Sequence, residues 1–171
     1  MPEIKTIFTE RDDSSELLID WWKSLDRNRG ERANLKHCAS PTEVAFCPSF
    51  HLLLGQLRAQ GYSLAPESAG AVAAGAGLAA HVKSYEGNAT LAQQMAKPKK
   101  QGGGARVSGL RFRRLLAISD RDELYVQLVR VIRLLDGRGN LVSLANAAFW
   151  WNERTKKDWA YDYYAAAPSE L

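Results

Sequence analysis

The stretch 111-RFRRLLAISDRDELYVQLVRVIRLL-135 decides what kind of fold this chain adopts. Leu124, Leu128, Val131 and Leu135 recur at i, i+4, i+7 and i+11, the spacing of one helix face. Ser119-Asp120-Arg121-Asp122 supplies a capping pattern ahead of them. The run YVQLVRVI is β-branched enough for a strand, but its length and its cap predict a helix, ended by Gly137 and Gly139. Upstream, Phe112, Leu115 and Leu116 make a second apolar stripe, with Arg106, Arg111, Arg113 and Arg114 fanned across the opposite face.

The same periodicity runs outward in both directions. Ser14 and Ser15 are placed to cap a helix through Leu17, Leu18, Trp21, Trp22 and Leu25, ending near Asn28 to Gly30. After the basic segment RANLKHCAS, Ser40-Pro41-Thr42-Glu43 sets a capping serine, an N1 proline and an N3 glutamate in order. It predicts a helix that buries Val44, Phe46, Phe50 and Leu54 across Pro48 and closes at Gly61. An alanine-rich helix follows from Glu67 to Tyr85, and a shorter one from Ala89 to Ala96. Asn140 caps a last helical stretch through Leu144, Ala148 and Trp151 and, beyond a break near Arg154, Trp159, Tyr163 and Tyr164. There is no hairpin signal and no repeat. The expected fold is all-α, a two-lobed helical bundle of about seven helices. Its expected division is an N-terminal lobe 1–96, a mobile basic Gly-rich linker 97–109 (KPKKQGGGARVSG) and a C-terminal lobe 110–171.

At 171 residues and 46% hydrophobic, the chain is long enough to bury a core without disulfides or metal. Cys38 and Cys47 read as ordinary intracellular thiols. The N-terminus MPEIKTIFTERDD has no apolar run of signal-peptide length, and Ala69 to His81 is too short and too small-chained to span a bilayer. A cytoplasmic protein with no membrane partner is expected.

Charge is laid out unevenly. Residues 1 to 20 hold six acids and two bases, so the other 151 residues carry +8 of the net +4. Between Gly87 and Ser119 there is no acid, while Lys97, Lys99, Lys100, Arg106, Arg111, Arg113 and Arg114 give seven positive charges. A second cluster, Lys23, Arg27, Arg29, Arg32 and Lys36, is diluted only by Asp26 and Glu31. Such packing costs self-repulsion that a polyanion relieves, and two basic clusters point to nucleic acid rather than to a merely solvated face.

Catalytic signatures are missing. No G-x-S-x-G occurs, and GGGARVSG lacks the lysine of a phosphate loop. His37, Cys38, Cys47 and His51 follow no common zinc spacing, although Cys47 and His51 could share a helix face. Neither a cofactor nor a metal is expected, and a metal-dependent enzyme is the weakest rival. Trp21-Trp22 and Trp150-Trp151 could stack on bases, but they complete leucine stripes and read as core, one ring of each pair inward and the other at the edge.

Two of these stretches, WWKSLDRNRGERANLKH with its proline-capped helix, and RFRRLLAISDRDELYVQLVRVIRLL followed by AAFWWNERTKKDWAYDYY, resemble the CasB family, the small subunit of the type I-E CRISPR surveillance complex Cascade. The likeness covers most of Trp21 to Tyr164 and is vague from Leu57 to Gly104. It implies a two-lobed, all-helical, non-enzymatic subunit present as two copies in a ribonucleoprotein. It implies contacts with the guide-RNA-bearing backbone and large subunits and with target DNA, the displaced strand of the R-loop above all. Arg27, Arg29, Arg32 and Lys36 fall on the family's basic N-terminal motif, and Arg111, Arg113, Arg114, Arg130 and Arg133 on its C-lobe arginines. Where a further arginine pair belongs after Leu35, this chain has Lys36 and His37, and the Gly102 to Gly104 tract is its own. Phosphate contacts by Lys and Arg would give sequence-independent affinity while base pairing with the guide supplies sequence. The rival from another class is a helical adaptor that binds only protein, its arginines paired with acidic neighbours.

Overall fold

The computed structural model describes residues 6–9, 12–100 and 102–170. Ten α-helices occur among the described residues: α1 (Asp13–Ser24), α2 (Arg29–His37), α3 (Pro41–Val44), α4 (Pro48–Ala59), α5 (Pro66–Ala80), α6 (Leu91–Ala96), α7 (Gly109–Leu116), α8 (Arg121–Leu134), α9 (Leu141–Phe149) and α10 (Glu153–Ala166). A two-residue parallel ladder joins β1 (Ser84–Tyr85) to β2 (Arg138–Gly139). The all-α architecture is as expected.

The helix count exceeds seven because the chain breaks where backbone chemistry demands it. The RANLKH part of the basic segment belongs to a helix of its own, α2, which ends at His37. Pro48 lacks the N–H that would continue α3 and instead starts α4, so the single helix expected from Ser40 to Gly61 is two. The corner between them turns Phe46 outward, 80% exposed, which corrects the expectation that it is buried. Residues 150–152 separate α9 from α10, a little before the expected break.

Each helix start has a local cause. Asp12, Asn28, Ser40, Thr90, Ser108, Asp120, Asn140 and Asn152 each accept a hydrogen bond from a first-turn amide, and α4 and α5 open on Pro48 and Pro66. The cap of α1 is Asp12, two and three residues ahead of Ser14 and Ser15, which are both fully buried.

Helix α5 is the axis of the molecule. Residues 71–80 are buried on every side, as an all-apolar helix must be, and its small residues let α9 pack closely alongside, with Gly75 facing Ala145. Helices α2, α3 and α8 pack on the same helix, and α10 covers α6. Phe112 of α7 stacks on Tyr163 of α10, ring centroids 4.0 Å apart and 8° from parallel. One apolar core therefore runs through residues from both halves of the chain.

The tryptophans belong to that core. Trp21 and Trp22 are both buried, whereas one of them was expected at the edge. Each of four indole N–H groups donates to a main-chain carbonyl: Trp21 to Ser49 (2.8 Å), Trp22 to Val82 (3.0 Å), Trp150 to Ile7 (2.6 Å) and Trp151 to Ile118 (2.8 Å). None of these four rings is left as an unpartnered stacking platform. No helix among the described residues is long and apolar enough to cross a membrane.

Candidate nucleic-acid interface

The basic side chains picked out from the sequence separate into three places. The first is a cleft of about 410 Å³ between α7 and α8, lined by Arg111, Arg114 and Arg130 together with Glu123, Gln127 and the apolar edge of Val107, Leu115, Val131 and Leu134. The three-residue spacing of Arg111 and Arg114 puts them on one face of α7, and Arg130 meets them from α8. None of the three forms an ion pair with another described residue. Arg113, two residues from Arg111, turns the other way, toward Glu170 and Tyr163.

The second place is a cleft of about 620 Å³ lined by Lys36 and His37 from the last turn of α2, His81 at the end of α5, Lys83, and Arg133, Asp136 and Gly137 at the end of α8. Arg130 and Arg133 are three apart and were expected on one side of their helix, yet they line different clefts. Arg32 is placed elsewhere. Its guanidinium donates to the carbonyls of Ala80 (3.1 Å) and Val82 (2.5 Å) and pairs with Asp26 at 3.0 Å, with only 19% of its side chain exposed. It caps the carbonyl end of α5, a role with its own structural reason. Arg27 and Arg29 are exposed at the turn into α2.

The third place is the glycine-rich segment. Pro98 and Ala105 form an antiparallel bridge, and the Lys99 N–H donates to the Gly104 carbonyl (3.2 Å), so the segment closes as a short loop with Lys97, Lys99 and Lys100 exposed on it. Its base is held. Glu170 accepts from the amides of Ala105 (2.8 Å) and Gly109 (3.0 Å), and these two donors hold its carboxyl below the usual range. Arg106 is half-buried beside it, its N–H bonded to the Lys97 carbonyl.

The metal-like set does not assemble. Cys38 and Cys47 lie with sulfurs 3.6 Å apart, but His51 turns its Nε2 to the Ala45 carbonyl (2.6 Å) and His37 faces the second cleft. No group of three or more His, Cys, Asp or Glu able to hold a metal ion occurs among the described residues.

A family model described as CRISPR-associated protein Cse2 matches residues 31–164, which spans α2 through most of α10 and all of the α7–α8 cleft. The chain belongs to the Cse2 family. Solved structures agree on the fold. A chain in the crystal structure of E. coli Cascade bound to a PAM-containing dsDNA target superposes with a TM-score of 0.65 at 17% identity, covering 94% of this chain and 99% of that one. CasB from Thermus thermophilus gives a TM-score of 0.65 at 22% identity, over 91% of this chain and 99% of that one. No curated protein sequence matches.

Two residues of this Cse2-family chain went unread in the sequence. His81 and Lys83 follow an apolar helix and stand outside both basic clusters, so only the packing of α2 and α8 against that helix end brings them beside Lys36 and Arg133. Burial first, and then the charges of Lys36, Arg133 and Arg32, push the imidazole of His81 down to about 4.

Proposed function

We propose that this chain is the non-catalytic small subunit of a type I-E Cascade ribonucleoprotein, and that it helps hold the displaced DNA strand of the R-loop through its basic faces while bridging the guide-bearing backbone. Family membership and the Cascade fold neighbour support the assembly. The observation that carries the nucleic-acid part is the convergence of Arg111, Arg114 and Arg130 in one cleft without an ion pair to any described residue. Three unneutralised guanidinium groups on rigid helices match a backbone of regularly spaced phosphates and ask nothing of base identity. Lys97, Lys99 and Lys100 extend the same charge on the loop, with Arg106, Arg113, Lys36 and Arg133 as further contacts, and Arg27 and Arg29 contribute at the turn before α2. Arg32 takes part by holding α2 against α5.

The test has two parts. A tagged copy recovered from its host, with and without nuclease, should bring a multi-subunit particle carrying repeat-derived guide RNA. Single-strand binding by the Arg111→Ala/Arg114→Ala/Arg130→Ala variant should lose roughly 0.7 from the log–log salt slope for each phosphate contact removed. An unchanged slope removes these residues from the interface. Exposed Phe46, Leu110 and Tyr161 favour a second role in binding protein neighbours. A particle that assembles fully without nucleic acid, from a protein that ignores DNA, would leave that adaptor role as the whole function.

A further inference from the structure

The cleft beneath α2 adds a third cation, Lys83, to the Lys36 and Arg133 already counted among the further strand contacts. Lys36 comes from α2, Lys83 from the segment leaving α5, and Arg133 from α8, so three separate elements aim cations at one concavity of about 620 Å³. None of the three forms an ion pair with another described residue, and the one acid in the lining is Asp136. Arg32, the remaining cation nearby, already binds Ala80, Val82 and Asp26.

The frame around these cations is fixed. The Lys83 N–H donates to the Gly137 carbonyl at 2.7 Å, and the β1–β2 ladder continues that pairing. Gly137 has φ +74, and a Cβ there would meet Lys83 Cγ at 2.9 Å, so the lysine stem lies directly across the turn that ends α8. The His81 ring forms part of the wall, and its Nε2 is buried without a hydrogen-bond partner. Burial first, and after it the charges of Lys36, Arg133 and Arg32, keep this half-buried imidazole neutral.

We propose that this cleft is a phosphate-binding site, in which Lys36, Lys83 and Arg133 together grip one phosphate group against the His81 wall. Three cations against one carboxylate leave a local charge of +2 before the two histidines are counted, enough to hold a phosphate whether it belongs to a free nucleotide or to a strand. The site itself rests only on this geometry. Its use by a DNA or RNA strand rests on the reading given under the proposed function.

The test follows the NMR signals of His81, Lys83 and Gly137 at pH 7 while sodium phosphate replaces sodium chloride at constant ionic strength. A saturable shift confined to these residues is expected. The Lys36→Gln/Arg133→Gln variant should weaken it at least tenfold, and so should Lys83→Glu, whose exposed position makes loss of folding a separate and visible event. Arg111→Ala/Arg114→Ala/Arg130→Ala should leave the shift intact. If these cations serve only to offset the carbonyl ends of α2, α5 and α8, phosphate leaves all three signals unmoved, and the proposal is overturned. Adenosine monophosphate and a short oligothymidylate then separate the sources: the one that competes with phosphate for the same signals supplies the group. No shift with phosphate alongside intact strand binding at the α7–α8 cleft would end this proposal and keep the strand reading. A phosphate shift without strand binding at any cleft would do the reverse.

Discussion

Two glycines of α5, Gly75 and Gly77, two residues apart, should respond to the same substitution with opposite signs. At Gly75 an added Cβ would sit 3.7 Å from the Cα and Cβ of Ala145, an ordinary contact. Gly75→Ala therefore keeps the helix-propensity gain of about 1 kcal/mol and loses nothing to crowding. At Gly77 the Cβ would fall 2.5 Å from the Tyr125 hydroxyl and 2.7 Å from Val44 Cγ2. Neither neighbour has room to give: Tyr125 is 2% exposed with its hydroxyl directed to the Cys38 carbonyl, and Val44 is fully buried. Overpacking costs about 1–3 kcal/mol, and two contacts below 3.0 Å put this site in the upper part of that range, about 2–3 kcal/mol, which outweighs the same propensity gain. Gly77→Ala should thus destabilise by about 1–2 kcal/mol and Gly75→Ala stabilise by about 1 kcal/mol. With a urea slope of about 2 kcal/mol per molar, the midpoints should move by roughly 0.5–1 M down and roughly 0.5 M up, with the slope unchanged. A Gly77→Ala midpoint at or above that of the parent would refute the argument that α5 is seated against α3 and α8 without slack.

Acid should weaken the fold through His81. Its folded value near 4 lies below the ordinary 6.5, so the stabilisation is complete above about pH 6.5 and drains away as pH falls toward 4. That displacement integrates to about 3 kcal/mol, reduced to about 2 by solvent reaching the half-exposed ring, and His81→Gln should flatten urea midpoints measured between pH 7 and 4.5. Glu170→Ala should speed hydrogen exchange at the Ala105 and Gly109 amides. With the carboxyl held below its ordinary 4.5, protection of these amides in the parent should persist above that pH and fade beneath it, and equal exchange in both proteins would remove Glu170 as the anchor. Burial and the neighbouring Cys47 push the Cys38 thiol up to about 12, so iodoacetamide at pH 8 should label it far more slowly than an unfolded thiol; labelling at the free rate would show the α2–α4 corner to be open.

Much of this architecture is written locally. Asp120, Asn140 and Ser40 start their helices where the pattern places them, because a cap acts over three residues and needs no tertiary partner. Arg111 and Arg114 share a face of α7 for the same reason, while Arg113 turns toward Glu170. What local pattern misses is what packing decides. Phe46 fits an apolar periodicity that Pro48 interrupts, and its exposure follows from the corner rather than from its own chemistry. Arg32 reads as one more cation in a basic run, yet the carbonyls that claim it lie 48 and 50 residues away. Arg130 and Arg133 share a helix but face different neighbours, and Lys83 joins a basic site only because Gly137 is folded against it. The split at 97–109 stands as a proposal about how the chain divides, beside a single core that includes residues from both sides of it.

Ile7 and Phe8 are buried, and what buries them is made last. The Phe8 carbonyl accepts from Asn146 across a separation of 138 residues, and the Ile7 carbonyl from Trp150 across 143. During synthesis at about 5–20 residues per second, these two apolar side chains wait roughly 7 to 30 s before their partners exist. Throughout that interval they are an adhesive patch on an unfinished chain. Glu10, Asp12, Asp13 and Glu16 follow immediately, at the positions where charged gatekeepers suppress association of an exposed apolar segment. By that rule these acids would keep the patch from associating until α9 arrives to cover it.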